Sequence, residues 1–302
     1  MNEQMKIMVA YDGSGYADAA IDDLRRAGLP EKGEALVVSV ADLSKTAIAN
    51  SYEIGVLGKF VSTRLLEKTI ELTLKESALV QYEVEELAVR GAERVLEILP
   101  GWSVSHRTTL GKPSQELLKT AAEWKPELIV VGSHGRTALG RFFLGSVSKE
   151  LAEKADCSVR VVRLPSFAAA PSVMNKVIIG ASSLPDAEEV IRAIGRRTWN
   201  LENTEMRLIV ADDGISAGRI SAVYPYAKAI FEQSVEELNA LGLQVLVIIK
   251  SGATDAILLE EAKNRHADSI FVVNEKANGE KGLGELAANL ITGAKCSVEI
   301  IR

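Results

Sequence analysis

The chain has 302 residues, 47% of them hydrophobic and 25% charged, which is the balance of an ordinary globular protein with room for two domains of about 150 residues. Its net charge of −6 and pI near 5.4 oppose a nucleic-acid partner, which would need a basic patch. No apolar run approaches the roughly 20 residues of a membrane span, and the first five residues run straight into a strand pattern with no basic-then-apolar leader, so no membrane association and a cytoplasmic location are expected.

The first predicted element is the strand Ile7-Met-Val-Ala-Tyr11, which ends in Asp12-Gly-Ser14 and opens a helix over Ala17–Ile21. Asp12 can accept hydrogen bonds from a ligand's hydroxyl or amino groups, or it can serve as helix N-cap. A second strand, Leu36–Val40, is followed by extra sequence from Leu43 to about Pro100. Much of this extra sequence is amphipathic helix, as in Phe60–Leu66 and Leu87–Leu96, with a less regular part from Ala47 to Lys59 that either covers a cleft or packs on the domain.

After the apolar strand Leu128-Ile-Val-Val131 comes Gly132-Ser-His-Gly-Arg-Thr-Ala-Leu-Gly-Arg-Phe-Phe-Leu-Gly-Ser146. Gly132 and Gly135 leave room for a ligand beside bare backbone. Gly145 and Ser146 open a helix whose N–H groups and positive dipole end suit an anion, so a phosphate is the expected ligand. Ser146 can donate to that phosphate, cap the helix, or do both. His134 either donates to phosphate or packs at the loop mouth, and Arg136 and Arg141 add positive charge beside it.

The half closes on Cys157-Ser-Val-Arg-Val-Val-Arg163, and the chain closes on Cys296-Ser-Val-Glu-Ile-Ile-Arg302, each twelve residues beyond a glycine, Gly145 and Gly284. Lys6-Ile-Met-Val-Ala10 recurs as Lys176-Val-Ile-Ile-Gly180, Leu117–Ala121 as Leu258–Ala262, and Ile129–Val131 as Ile270–Val272. One domain has been doubled, with a Pro-containing linker near Pro165 to Met174 and domain bounds at 1–164 and 174–302. The strands, Val245-Leu-Val-Ile-Ile249 among them, are continuous apolar runs, which predicts parallel sheets covered on both faces. Each half is therefore a doubly wound α/β domain that binds ligands at the carboxyl ends of its strands. The final strands are short, apolar and placed last in each sheet, where an open edge would invite pairing with another strand.

The second half has lost the loop. Val273, Asn274, Glu275 and Lys276 stand where the first half has Gly132, Ser133, His134 and Gly135, while Ser182 replaces Asp12 and Glu285 replaces Ser146. A bulky side chain and a carboxylate at the helix start oppose anion binding. The two cysteines read as small buried residues, and neither they nor His106, His134 and His266 have metal-ligand spacing.

Gly-x2-Gly-x9-Gly-Ser at residues 132–146, with the acidic strand end at Asp12, resembles the nucleotide-binding signature of the universal stress protein family in its tandem, two-domain form. The resemblance implies a Rossmann-like, adenine-nucleotide α-hydrolase-like fold that binds ATP (or ADP or AMP), with Asp12 and the Val40 backbone near the nucleoside. It places phosphates on Gly132, Ser133, His134, Gly135, Gly145, Ser146 and Val147, with magnesium accompanying a triphosphate. It also implies that the two final strands pair with each other across a pseudo-two-fold axis and that the protein has a stress-response role as a nucleotide-dependent regulatory or sensor protein, while the apolar positions of the extra helix between Leu43 and Pro100 lead to the expectation of a homodimer of whole chains. A slow ATPase or autophosphorylating enzyme is the alternative, although the loop has no Walker-type lysine and no catalytic residue is assigned. An adenylate-forming synthetase is a further alternative, disfavoured because Asp12-Gly-Ser14 lacks a Ser-Gly-Gly pyrophosphate loop.

Overall fold

The computed structural model describes residues 4–42, 63–134, 144–164, 174–212, 228–274 and 282–302, with side chains in the long helix described from residue 78 onward. The first half runs β1 (Met5–Ala10), α1 (Gly15–Asp22), β2 (Gly33–Ala41), α2 (Thr63–Ile98), β3 (Ser103–Leu110), α3 (Pro113–Trp124), β4 (Leu128–Gly132), α4 (Ser146–Lys154) and β5 (Ser158–Val162). The second half runs β6 (Asn175–Ala181), α5 (Leu184–Gly195), β7 (Thr204–Asp212), α6 (Glu236–Ala240), β8 (Val245–Ser251), α7 (Thr254–Arg265), β9 (Ser269–Val273), α8 (Glu285–Gly293) and β10 (Ser297–Ile301).

All ten strands belong to one sheet, in the order β3-β2-β1-β4-β5-β10-β9-β6-β7-β8. Each half is a parallel, doubly wound five-stranded unit whose strand order reverses between its first and fourth strands. The halves join where β5 and β10 pair antiparallel, with Arg160 opposite Glu299 and Val161 opposite Val298. This is the pairing expected of the two final strands, and it covers both of their edges within one chain. The core on one face runs unbroken across the join, mixing Met8, Ile129 and Val161 with Ile178, Ile270 and Ile300, whereas the other face keeps a separate core for each half.

Burial follows position in the sheet. Every residue of the inner strands β4, β5, β9 and β10 is buried, as continuous apolar runs require. The run Val245–Ile249 does not meet that expectation. Its strand β8 is the outermost of its half, Leu246 is about half exposed, and of the run only Val247 is buried. An apolar edge strand and an apolar central strand read alike in sequence.

The duplication extends to backbone detail. Lys125 and His266, at equivalent positions, both end their helices in the left-handed region, with φ of 54° and 51°, so His266 is a helix terminator. In the first-half insertion, α2 packs Leu87, Ala88, Ala92 and Val95 onto the α1 face. A Cβ at Gly91 would come within 2.8 Å of the Tyr11 ring, so the glycine lets the helix lie directly on that ring. Arg94 bridges Asp18 and Asp22 of α1, and Arg90 donates to the Tyr11 hydroxyl. The segment Ala47–Lys59 and the linker residues 165–173 lie outside the described residues.

Candidate nucleotide site

At the carboxyl ends of β1, β2 and β4 the fold brings together most of the residues singled out in the first half. Beyond β1, Tyr11 N–H still bonds Val38 O, and Ser39 Oγ donates to Tyr11 O at 2.7 Å, locking the two strand ends together. Gly13, at φ 73°, then turns the chain into α1. The carboxylate of Asp12 accepts the Ser14 N–H at 3.0 Å, and Ser14 Oγ accepts the Ala17 N–H. The N-cap of α1 is therefore Ser14, and Asp12 is a half-buried acceptor just before it. Val40 sits one residue from the end of β2, opposite Thr109 and half-buried.

Gly132 ends β4. A Cβ there would lie 2.6 Å from Tyr16 O and 2.7 Å from Tyr16 C, so the close approach of α1 itself requires a glycine here, a requirement that the sequence reading did not anticipate. Ser133 is fully buried and its backbone ties the loop together. Its N–H bonds Val162 O at 2.7 Å, while its carbonyl accepts both the Gly145 N–H at 2.7 Å and Ser148 Oγ at 3.1 Å. Ser148, which sequence reasoning missed, also donates to Gly145 O. A hydroxyl at the third helical position was the available signal.

His134 is 7% exposed, with its ring 4.8 Å from that of Tyr16 and its Nδ1 3.1 Å from Ser133 Oγ. Burial, and then the nearby Arg163 charge, hold its pKa below the usual value, so the ring is neutral at pH 7. Its Nε2 is buried without a hydrogen-bond partner among the described residues. The packed reading describes its surroundings, and the ring keeps one unused polar atom.

Helix α4 begins at Ser146, and the N-cap is Gly145, which supplies no side-chain hydrogen bond. Ser146 is thus the first helical residue, exposed, and does not act as the cap. Gly145 therefore offers the first-turn N–H groups no side-chain acceptor, an arrangement that favours an anion. Val147 turns inward onto the core. Gly135, Arg136 and Arg141 lie outside the described residues.

The equivalent junction of the second half is built differently. Asn274 N–H bonds Ile301 O, as Ser133 bonds Val162 O, but the Asn274 side chain then closes the loop. Its Nδ2 donates to Gly282 O at 3.0 Å and its Oδ1 accepts the Gly284 N–H at 2.9 Å. Helix α8 starts with Glu285, whose acidic side chain lies in the first turn. Ser182 Oγ donates to Asp186. Glu275 and Lys276 are outside the described residues.

Elsewhere, burial pushes the Cys157 thiol up to about 11 and the Cys296 thiol to about 12, so both stay protonated. A cavity of about 640 Å³ opens at the opposite, amino-terminal end of the strands, lined by Gly28, Trp102, Asn175 and Trp199 among others; it contains none of the residues above. Among the described residues no helix is long and apolar enough to cross a membrane.

Comparison with known proteins agrees with the motif. A universal stress protein of Thermus aquaticus is 29% identical over 157 residues, covering 52% of this chain and 97% of its own. One from Methanocaldococcus jannaschii is 33% identical over 89 residues, covering 29% and 52%. Among solved structures, a universal stress protein from Archaeoglobus fulgidus aligns over 98% of both chains at 17% identity with a TM-score of 0.65, a likeness of fold along nearly the whole chain. A universal stress protein solved in complex with cAMP aligns over 43% of this chain and 97% of its own, at 22% identity and a TM-score of 0.34. The family model described as the universal stress protein family matches residues 4–163, more than half of the chain, and the protein therefore belongs to that family.

Proposed function

We propose that the protein is a cytoplasmic stress-response regulator or sensor that binds ATP in its first half alone, with residues 1–164 as the nucleotide domain and residues 174–302 as a nucleotide-free partner. The observation that carries this reading is the contrast between the two junctions. Both helices start from a glycine without a side-chain cap, but the first has Ser146 as its first residue, while the second has Glu285 there and a loop crossed by the Asn274 amide.

The residues present fit a nucleotide. Asp12, a half-buried carboxylate at the switch point, would accept from ribose or adenine, and the Val40 backbone would border the base. Ser146 and the first N–H groups of α4 would hold phosphate, with the orphaned His134 Nε2 as a nearby polar atom. Bound ATP would supply a phosphate chain carrying magnesium through its own oxygens. Occupancy would favour one arrangement of the domain or of a homodimer, which is how a protein without assigned catalytic residues can report on nucleotide.

Calorimetric titration with Mg-ATP is expected to give a stoichiometry near one per chain. Ser146→Glu, which copies the second half, is expected to weaken binding about tenfold or more while leaving thermal stability unchanged, because a carboxylate then opposes phosphate at the helix start. A stoichiometry near two, or unaltered affinity in Ser146→Glu, would refute the proposed asymmetry. Mass spectrometry of the nucleotide retained through purification separates the alternatives. ATP supports regulation, ADP with continuing phosphate release points to a hydrolase, and an acyl-adenylate points to a synthetase relative.

A further inference from the structure

The join between the halves is nearly symmetric. Cys157 and Cys296 are equivalent, so Arg160 and Glu299, three residues on, are equivalent too, and in the β5–β10 ladder they face each other. A residue that faces its own repeat equivalent lies on the pseudo-two-fold axis. Several contacts around that axis come in matched pairs that would serve equally well between two identical copies. Arg163 donates to Ile291 O and Thr292 O at the end of α8, and Arg302 returns the contact to Ala152 O and Cys157 O at the end of α4. Val159 and Val161 face Ile300 and Val298.

Away from the axis Arg26 pairs with Asp268 and Arg197 donates to Ala27 O without a mirrored counterpart among the described residues, and at the axis itself one half presents a cation and the other an anion. Both side chains are fully buried, and Arg160 Nη1 meets Glu299 Oε2 at 3.1 Å. Each charge has a counter-ion from its own half, Asp23 for Arg160 at 2.6 Å and Arg197 for Glu299. Burial alone therefore does not require the cross-join pair, and what the pair adds is discrimination between partners. Pairing β5 with another β5 would set guanidinium against guanidinium, and β10 with β10 would set carboxylate against carboxylate, which is unfavourable for residues directly opposite. A further asymmetry acts in the same direction. The guanidinium of Arg160 lies over the Phe271 ring at 5.5 Å, and the first half has Val130 at the position equivalent to Phe271.

We infer that Arg160 and Glu299 are specificity determinants that make the final-strand interface heterotypic, so that β5 accepts the acidic β10 of its own chain and rejects the β5 of another copy. Any dimer of whole chains must then use a different surface or exchange β10 strands reciprocally.

The test uses the full-length chain with a protease site placed within residues 165–173, cut only after folding. The cut protein is held in mild urea for days and analysed by native mass spectrometry. The parent is expected to remain a one-to-one pair of unlike halves. Arg160→Gln/Glu299→Gln, near-isosteric and uncharged, is expected to form like-with-like pairs of both halves beside the unlike pair, which the Arg26–Asp268 contact still favours. Glu299→Gln alone lets β10 pair with β10 while Arg160 still opposes β5 pairing, so homodimers of the second half form together with unpaired first half and no first-half homodimer. Like-with-like pairs in the parent would overturn the inference. So would exclusive retention of the unlike pair by the double variant, or by Glu299→Gln alone should the double variant not fold.

Discussion

The two strand-to-helix junctions, β4 to α4 and β9 to α8, descend from one repeat, yet they close by opposite means. In the first, the backbone carbonyl of Ser133 receives the Gly145 N–H and the Ser148 hydroxyl, and the helix start is left without a side-chain cap. In the second, the Asn274 side chain spans Gly282 and Gly284. In both junctions the N–H of the glycine N-cap is taken up within the loop and no side chain of that cap residue reaches the first turn, so what sets the second apart as an anion site is the Glu285 carboxylate in its first turn. The difference is local, since both junctions sit on the same parallel sheet with the same register to their neighbours.

The largest effect is expected at the residue where the two junctions differ most in bulk. Gly132→Val copies Val273, but it drives a branched side chain into the Tyr16 carbonyl, a backbone atom that cannot turn aside. A loss of about 3 kcal/mol in urea unfolding is expected, at the upper end for overpacking. If the variant were as stable as the parent, the close approach of α1 would not be what fixes this glycine, and the ligand-based reading of the position would stand alone.

Asn274→Ala tests the other side of the comparison. It removes one donor and one acceptor from a loop that has lost the glycine-rich sequence, leaving the Gly284 N–H and Gly282 O without that partner. About 1–2 kcal/mol should be lost, with ATP stoichiometry still near one. Ser133→Ala, which keeps every backbone bond of the first junction and removes only the hydroxyl beside His134, should cost clearly less. Equal costs would mean that the two loops are held in the same way.

These contrasts show what the sequence carried and what it hid. The tandem repeat and the doubly wound halves follow from continuous apolar runs and matched ends, because strand burial and sheet order are dictated by hydrophobic pattern and connection rules, and the pairing of the final strands was implied by the family resemblance. The approach of Tyr16 to Gly132 was not legible, since a glycine needed by a neighbouring helix looks the same as one needed by a ligand. The capping alternatives open for Asp12 and Ser146 fall one or two residues away, at Ser14 and Gly145, because several cap-forming residues stand side by side at each helix start. Asn274 could be read as a loss of glycine, but its role as a brace depends on bonds eight and ten residues away.

The smallest expected effect concerns a tie that the halves share with its polarity reversed. In the first half the carboxylate is on α4, where Glu150 accepts from Ser114 Oγ at 2.5 Å, Lys154 Nζ at 2.7 Å and Lys112 Nζ at 3.1 Å. In the second it is on the preceding helix, where Asp255 at the start of α7 accepts from Asn289 of α8 at 2.7 Å. The bonds from Lys154, Ser114 and Lys112 hold the Glu150 carboxyl at about 2, below its ordinary 4.5. A carboxyl depressed in the folded state stabilises fully above its unfolded pKa, and that contribution is lost as pH falls from 4.5 toward 2. The group is near the surface, so solvent screening keeps the contribution below about 1 kcal/mol. Glu150→Gln should therefore be slightly less stable than the parent at pH 7, with the difference in urea midpoint shrinking between pH 4.5 and 2. A difference that stayed constant over that range would show that the tie acts through its hydrogen-bond geometry, as the Asn289–Asp255 contact does from the other helix, and not through the charge on Glu150.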